Sequence, residues 1–169
     1  EGILRMPGYL NVIDGRSINP LLQNYWMLFH PVFLFAGYGS TVLLYILGLG
    51  AYGYINRKLF YRGMLLSALI SSLFMSVGIF MGMLWAYEAL SFGGFWAWDP
   101  VENASMFPWL LSIACLHFLL SVRRDIVAGQ ISRYYVVLSS LPFVSSIYSS
   151  FLTRSGVLAD TSVHSFTGS

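Results

Sequence analysis

Pro31–Ile55 reads PVFLFAGYGSTVLLYILGLGAYGYI, a run without a single charge. A helix needs roughly 20 apolar residues to cross a hydrocarbon layer about 30 Å thick, and this run is long enough. Three further runs meet the same requirement: Met64–Leu90, Met106–Val122 (entered from a helix that begins near Pro100) and Tyr134–Thr153. The whole chain agrees with that reading. Of 169 residues only 9% are charged and the mean hydropathy is +0.69, whereas a soluble domain carries about 25% charge. Too little polar surface remains to face water. The expected fold is all-α, a polytopic transmembrane helix bundle of about four spans forming one membrane domain over residues 1–169. It would carry an aromatic loop and short interfacial helices at its outer surface. Glu1 in place of an initiator Met, and the polar ending HSFTGS, predict a part of something longer.

Charge orients the spans. The segments Asn56–Gly63 (NRKLFYRG) and Arg123–Arg133 hold six of the nine Lys and Arg. The positive-inside rule puts both on the cytoplasmic side. The N-terminal stretch, residues 92–105 and the tail after Thr153 then face outward. Near the N-terminus, Asn19 followed by Pro20 has the pattern of a helix start. NPLLQNYWMLFH is expected to be an interfacial helix lying on the outer leaflet. Pro31 biases His30 away from helical geometry, which would display His30 at the membrane surface.

Between the second and third spans lies FGGFWAWDPVENASMFPW, Phe92 to Trp109. Two readings compete for it. In the first, Asp99 caps a helix with Pro100 at its first position and Glu102 answering. Trp96, Trp98 and Trp109 then belong to an interfacial aromatic belt. In the second, the loop is a porphyrin platform: haem has broad apolar faces that stack on Trp and Phe. Its iron takes imidazole and its propionates take cations or hydrogen-bond donors. The chain offers His30, His164 and Arg154 on the same outer side.

His117 stands apart. It lies about 12 Å along a helix from Trp109 at 1.5 Å per residue, inside the bilayer, where polar residues mark function or an interhelical hydrogen bond. It is read either as bonded to a serine of the second or fourth span, or as one axial ligand of a membrane haem. Glu88 is expected to sit in the headgroup zone unaided. Gly37, Gly39, Gly48, Gly78 and Gly82 read as close helix packing, GIFMG being a small-xxx-small pattern. Cys115 is expected to be buried and inert, and its being the only cysteine excludes a disulfide framework or a CxxCH motif.

At these residues the chain resembles a known family. WDPVENASMFPW is similar to the ending of the tryptophan-rich WWD haem-handling signature of the CcmF and NrfE haem lyase subunits of cytochrome c maturation. NPLLQNYWMLFHPVFLFAGY and FLTRSGVLADTSVHSF resemble two more of the family's segments, in the same order. The resemblance covers nearly all of this chain but only the early-to-middle part of a family member. It implies haem b as the cofactor or cargo, with His30 and His164 as outer axial ligands and the loop carrying Phe92, Phe95, Trp96, Trp98, Asp99 and Trp109. His117 is implied as a ligand of a resident membrane haem whose partner histidine lies in a later span. Attachment of haem to the CxxCH thiols of apocytochrome c is the implied activity, with a haem chaperone and other maturation subunits as partners. Transfer of haem to a chaperone without bond formation is the alternative within the resemblance, and a structural bundle without cofactor the alternative outside it. The implied location is the inner (cytoplasmic) membrane with the loop facing the periplasm, or the mitochondrial inner membrane; no nucleic acid is expected. Phe92 and Phe95 replace two tryptophans of the usual signature, which keeps ring stacking but loses two indole donors. GVLADTSVH is two residues longer than the expected pattern.

Overall fold

The computed structural model describes residues 23–53, 56–89, 94–128, 130, 133–158 and 161–162. Within them lie α1 (Trp26–Leu49), α2 (Arg57–Glu88), α3 (Pro100–Ser121), the short α4 (Arg123–Val127) and α5 (Arg133–Arg154). All but α4 are long and apolar enough to cross a membrane, so the helical fold and the four expected spans are present in the expected order. They pack as a ring of antiparallel neighbours: α1 on α2, α2 on α3, α3 on α5, and α5 back on α1.

The element boundaries depart from expectation in two instructive places. NRKLFYRG is not a loop. Asn56 accepts a hydrogen bond from the Leu59 N–H at 3.0 Å and so caps α2, which begins at Arg57. With 32 residues this helix is about 48 Å long, more than the ~30 Å of hydrocarbon. Its basic first turns and its terminal Glu88 can therefore both leave the lipid core. The expected separate interfacial helix is also corrected: α1 runs through His30 and Pro31 without a break. Asn24 accepts from the Trp26 N–H at 3.1 Å and starts the helix there. Pro31 sacrifices one backbone bond, and its steric bias on His30 is overridden by tertiary contacts of the imidazole. The Asn19–Pro20 signal falls outside the described residues.

The bundle buries many small and hydroxyl-bearing residues and displays many large apolar ones. Thr41, Ser67, Ser71, Ser112, Ser139, Ser146 and Ser149 are buried, while Leu43, Ile46, Leu66, Leu73, Val144 and Ile147 are exposed. Lipid tails are as apolar as leucine, so helices associate through close approach and hydrogen bonds. A Cβ on Gly37 would lie 2.9 Å from the Met75 backbone N, and one on Gly48 would overlap Ser139. Gly39 has nothing within 4 Å, so the expectation that it packs is not met. Pro108 leaves the Ala104 carbonyl without its helical donor. The Ser149 hydroxyl of α5 donates to that carbonyl and takes the missing partner's place.

The densest packing lies at the end of the bundle that carries the basic residues. Leu44, Phe60, Met64, Cys115, Leu119 and Ile126 form one buried cluster there. Among the described residues, the opposite end holds a smaller cluster, Ala86 and Ala89 with Trp85 against them.

Candidate functional site

That end gathers the start of α1, the end of α2, the start of α3 and the chain leaving α5. A small cleft of about 70 Å³ lies there, well below the ~300–1,000 Å³ typical of an enclosed small-molecule site. His30, Gly82 and Trp85 form part of its lining, with Phe95, Trp96 and Glu102 contributed by the aromatic loop and α3.

His30 is seated against α2. Its Nδ1 lies 2.7 Å from the Gly78 carbonyl oxygen. A carbonyl only accepts, so Nδ1 carries the proton, and in the neutral ring the lone pair then sits on Nε2. The approach depends on missing side chains. A Cβ on Gly82 would stand 2.8 Å from the His30 Cε1 and 2.9 Å from Nδ1, and one on Gly78 would stand 2.7 Å from the Leu34 backbone N. Trp85 tilts at 44° to the imidazole with centroids 6.1 Å apart. GIFMG thus marks the close approach of α1 and α2, and that approach is what holds the histidine.

The described part of the aromatic loop is pinned by the start of α3. Asp99 accepts from the N–H groups of Val101 at 2.9 Å and Glu102 at 3.4 Å. Glu102 in turn accepts from the Ala97 N–H at 2.9 Å. The cap expected for Asp99 and Glu102 is therefore real. It also frames Trp98, whose φ of 57° is a left-handed conformation costing an aromatic residue on the order of 1–3 kcal/mol. Asn103 Nδ2 donates to the Trp98 carbonyl at 3.0 Å and holds that geometry. The Trp98 ring ends 70% exposed and meets Trp96 edge-on with centroids 6.4 Å apart. Phe95 stacks on Tyr87 of α2 at 4.2 Å and 5°.

A third strand of connection comes from beyond α5. Gly156, at φ 74°, turns the chain in a conformation natural to glycine. Ser162 Oγ then donates to Asp99 Oδ2 at 2.6 Å. His164 follows two positions later and, with Phe92, lies outside the described residues.

Other expected site residues are elsewhere. Trp109 is within α3 and donates from Nε1 to Ser76 Oγ of α2 at 2.8 Å, a tie between helices. Arg154, at the end of α5, lies over the Phe35 ring at 5.3 Å. His117 is exposed on the outside of α3, about 26 Å from Pro100 at 1.5 Å per residue. Among the described residues no hydrogen bond joins it to a serine of α2 or α5, which removes the first of its two readings. Glu88 is not unaided: it accepts from Asn24 Nδ2 at 2.8 Å, Trp26 Nε1 at 3.1 Å and the Tyr25 hydroxyl at 3.4 Å. This clamp fixes the start of α1 to the end of α2 and was missed because its members are more than sixty positions apart. Cys115 is buried as expected. Among the described residues no group of three His, Cys, Asp or Glu side chains could hold a metal.

The family model for the cytochrome c assembly protein matches residues 9–158. The cytochrome c-type biogenesis protein NrfE of Haemophilus influenzae is 41% identical over 154 residues, which is 90% of this chain and 24% of that protein. CcmF of Pseudomonas aeruginosa is 37% identical over 156 residues, covering 91% of this chain and 23% of its own length. A solved structure titled cytochrome c heme lyase CcmF superposes with a TM-score of 0.64 at 32% identity, over 90% of this chain and 26% of the other. The chain thus spans about a quarter of the length of these relatives. It is a segment of the CcmF/NrfE type, and it belongs to the cytochrome c assembly protein family.

Proposed function

We propose that the end of the bundle bearing His30 and Trp96 holds haem as cargo at the outer membrane surface while the thiols of an apocytochrome c CxxCH motif add to its vinyl groups. The observation that carries this is the seat of His30. Its Nδ1 is committed to the Gly78 carbonyl at 2.7 Å, which directs the ligating lone pair to Nε2. The ring lines the same cleft as Trp96 and Phe95. An imidazole of fixed tautomer beside flat apolar rings is a donor set that suits a porphyrin.

The remaining residues have supporting parts. Trp98 is held in a strained conformation that throws its ring outward, which a mere connecting loop does not need. Ser162 ties the segment bearing His164 to Asp99, and His164 would supply the second outer ligand. Arg154 at the end of α5 provides a cation for a propionate. Each addition puts sulfur on one vinyl carbon and hydrogen on its neighbour, so nothing is released. The chain's task is to bind, orient and present, the bond chemistry belonging to porphyrin and thiols.

This bundle would be one unit of a longer polypeptide in the inner membrane, with the His30 end in the periplasm and its basic end inside. It would receive haem from a chaperone and work beside other maturation subunits. His117 points away from the bundle and is fit to be half of a resident haem site completed by another segment.

The test replaces Trp96 and Trp98 by Ala together. Haem recovered with the membrane-purified protein should fall to background while membrane insertion is kept. Undiminished haem would return both tryptophans to an aromatic belt. Haem retention without thioether formation, in a system reconstituted with apocytochrome c, would assign delivery rather than attachment.

A further inference from the structure

At the opposite end of the bundle, the first turns of α2 face the junction of α3 and α4 across a cleft of about 900 Å³. Four cations line it, Lys58 and Arg62 from α2 and Arg123 and Arg124 from α4. Leu65 and Leu120 line its membrane-facing part. No carboxylate is among the lining residues, and Asp125, the acidic residue of α4, is not one of them.

Four positive side chains in one cleft repel one another. Among the described residues, none of the four is in a salt bridge. Arg57 and Arg133, cations at the same level, are already occupied: Arg57 Nη1 donates to the Ala51 carbonyl at 2.7 Å, and Arg133 lies over the Tyr134 ring at 5.8 Å. The field is sharpened by α2 itself. Its N-terminus carries positive partial charge and is ordinarily favoured by acidic residues, yet its first turn has none.

We propose that this cleft binds the phosphate headgroup of an anionic membrane lipid, with an acyl chain running down the Leu65–Leu120 side. Charge complementarity selects an anion. The position selects its source: the cations stand at the ends of spanning helices, where headgroups lie, and the leucines below them belong to the hydrocarbon. A zwitterionic lipid brings its own cation into the cleft and relieves none of the repulsion. Basic clusters between spanning helices on the inner side are a setting in which anionic headgroups bind.

The experiment is native mass spectrometry of the chain released from micelles carrying phosphatidylglycerol or phosphatidylcholine with the same acyl chains. Phosphatidylglycerol should be retained in preference. The double variant Arg123→Gln/Arg124→Gln should weaken that retention by roughly fivefold for each charge removed, with helicity by circular dichroism unchanged. The control Arg57→Gln/Arg133→Gln should leave it as in the parent chain. Equal retention of the two lipids would overturn the proposal. So would equal loss in the control pair, which would make the effect diffuse surface charge. Displacement of the lipid by millimolar inorganic phosphate would assign a free-anion site instead. Loss of retention when the chain is produced within a full-length relative would assign the cleft to a segment of the same polypeptide.

Discussion

Gly82 shows how much rests on a side chain that is not there. A Cβ at this position would stand 2.8 Å from the His30 ring, too close for the ring to stay. Gly82→Ala should therefore displace the imidazole at an overpacking cost of about 1–3 kcal/mol, weakening haem retention by about thirtyfold at the centre of that range. Haem titration of the purified variant checks it. Gly39→Ala is the internal control, because Gly39 has nothing within 4 Å. Equal affinity for Gly82→Ala and the parent chain would show that His30 is not the ligand held in this seat. The sequence made close packing legible at both glycines, since spacing alone carries that signal. It could not separate them, because only the facing helix decides which glycine is crowded. Glu88 was illegible for a similar reason. Its three donors, Asn24, Tyr25 and Trp26, come from another helix, and no periodicity links residues that far apart.

At the scale of elements, the apolar runs located all four spans, and the charges then misplaced some of their ends. Charge is excluded from lipid, so Arg57, Lys58 and Arg62 have the look of a loop, but α2 simply continues beyond the hydrocarbon. Hydropathy reports where the hydrocarbon is, not where a helix stops. The pairing of α3 with α5 was not legible at all, although its chemistry is local. Pro108 frees the Ala104 carbonyl, and Ser149 donates to it. Ser149→Ala should destabilise the bundle by about 1 kcal/mol, between the ~0.6 average for hydrogen bonds in membranes and the ~1.7 maximum. In a Pro108→Ala background the helix regains its own donor, so the same substitution should cost a few tenths of that. Unfolding in mixed micelles measures both. Strict additivity of the two changes would mean that the serine does not substitute for the missing amide.

At the scale of the molecule, the compositional reading of a four-span helical bundle agrees with the structure, and the order of motifs along the chain agrees with the family it belongs to. The gathering of the site was only half legible. The sequence placed His30, the aromatic loop and the segment before His164 on one side, but gave no hint that Ser162 would reach Asp99. It also named Trp109 with the outer loop, whereas α3 carries that ring inward to Ser76. The sidedness is directly testable. With Cys115 replaced by Ala, single cysteines at Lys58 and Gln130 should resist an impermeant thiol reagent in right-side-out vesicles. Cysteines at Ser17 and Thr167 should react. The reverse pattern would place the cleft of His30 and Trp96 on the cytoplasmic side and end its proposed role.

The bond between Ser162 and Asp99 has a consequence for biosynthesis. Its two members are 63 residues apart, and at about 5–20 residues per second the ribosome delivers the serine roughly 3–13 s after the aspartate. Until then the loop carrying Trp96 and Trp98 lacks this bond. Only after α5 has been made can the serine arrive, so the bond to Asp99 closes after the fourth span has been synthesised. A nascent chain stalled before α5 would carry His30, Trp96 and Trp98 but would lack the clasp that joins Asp99 to Ser162.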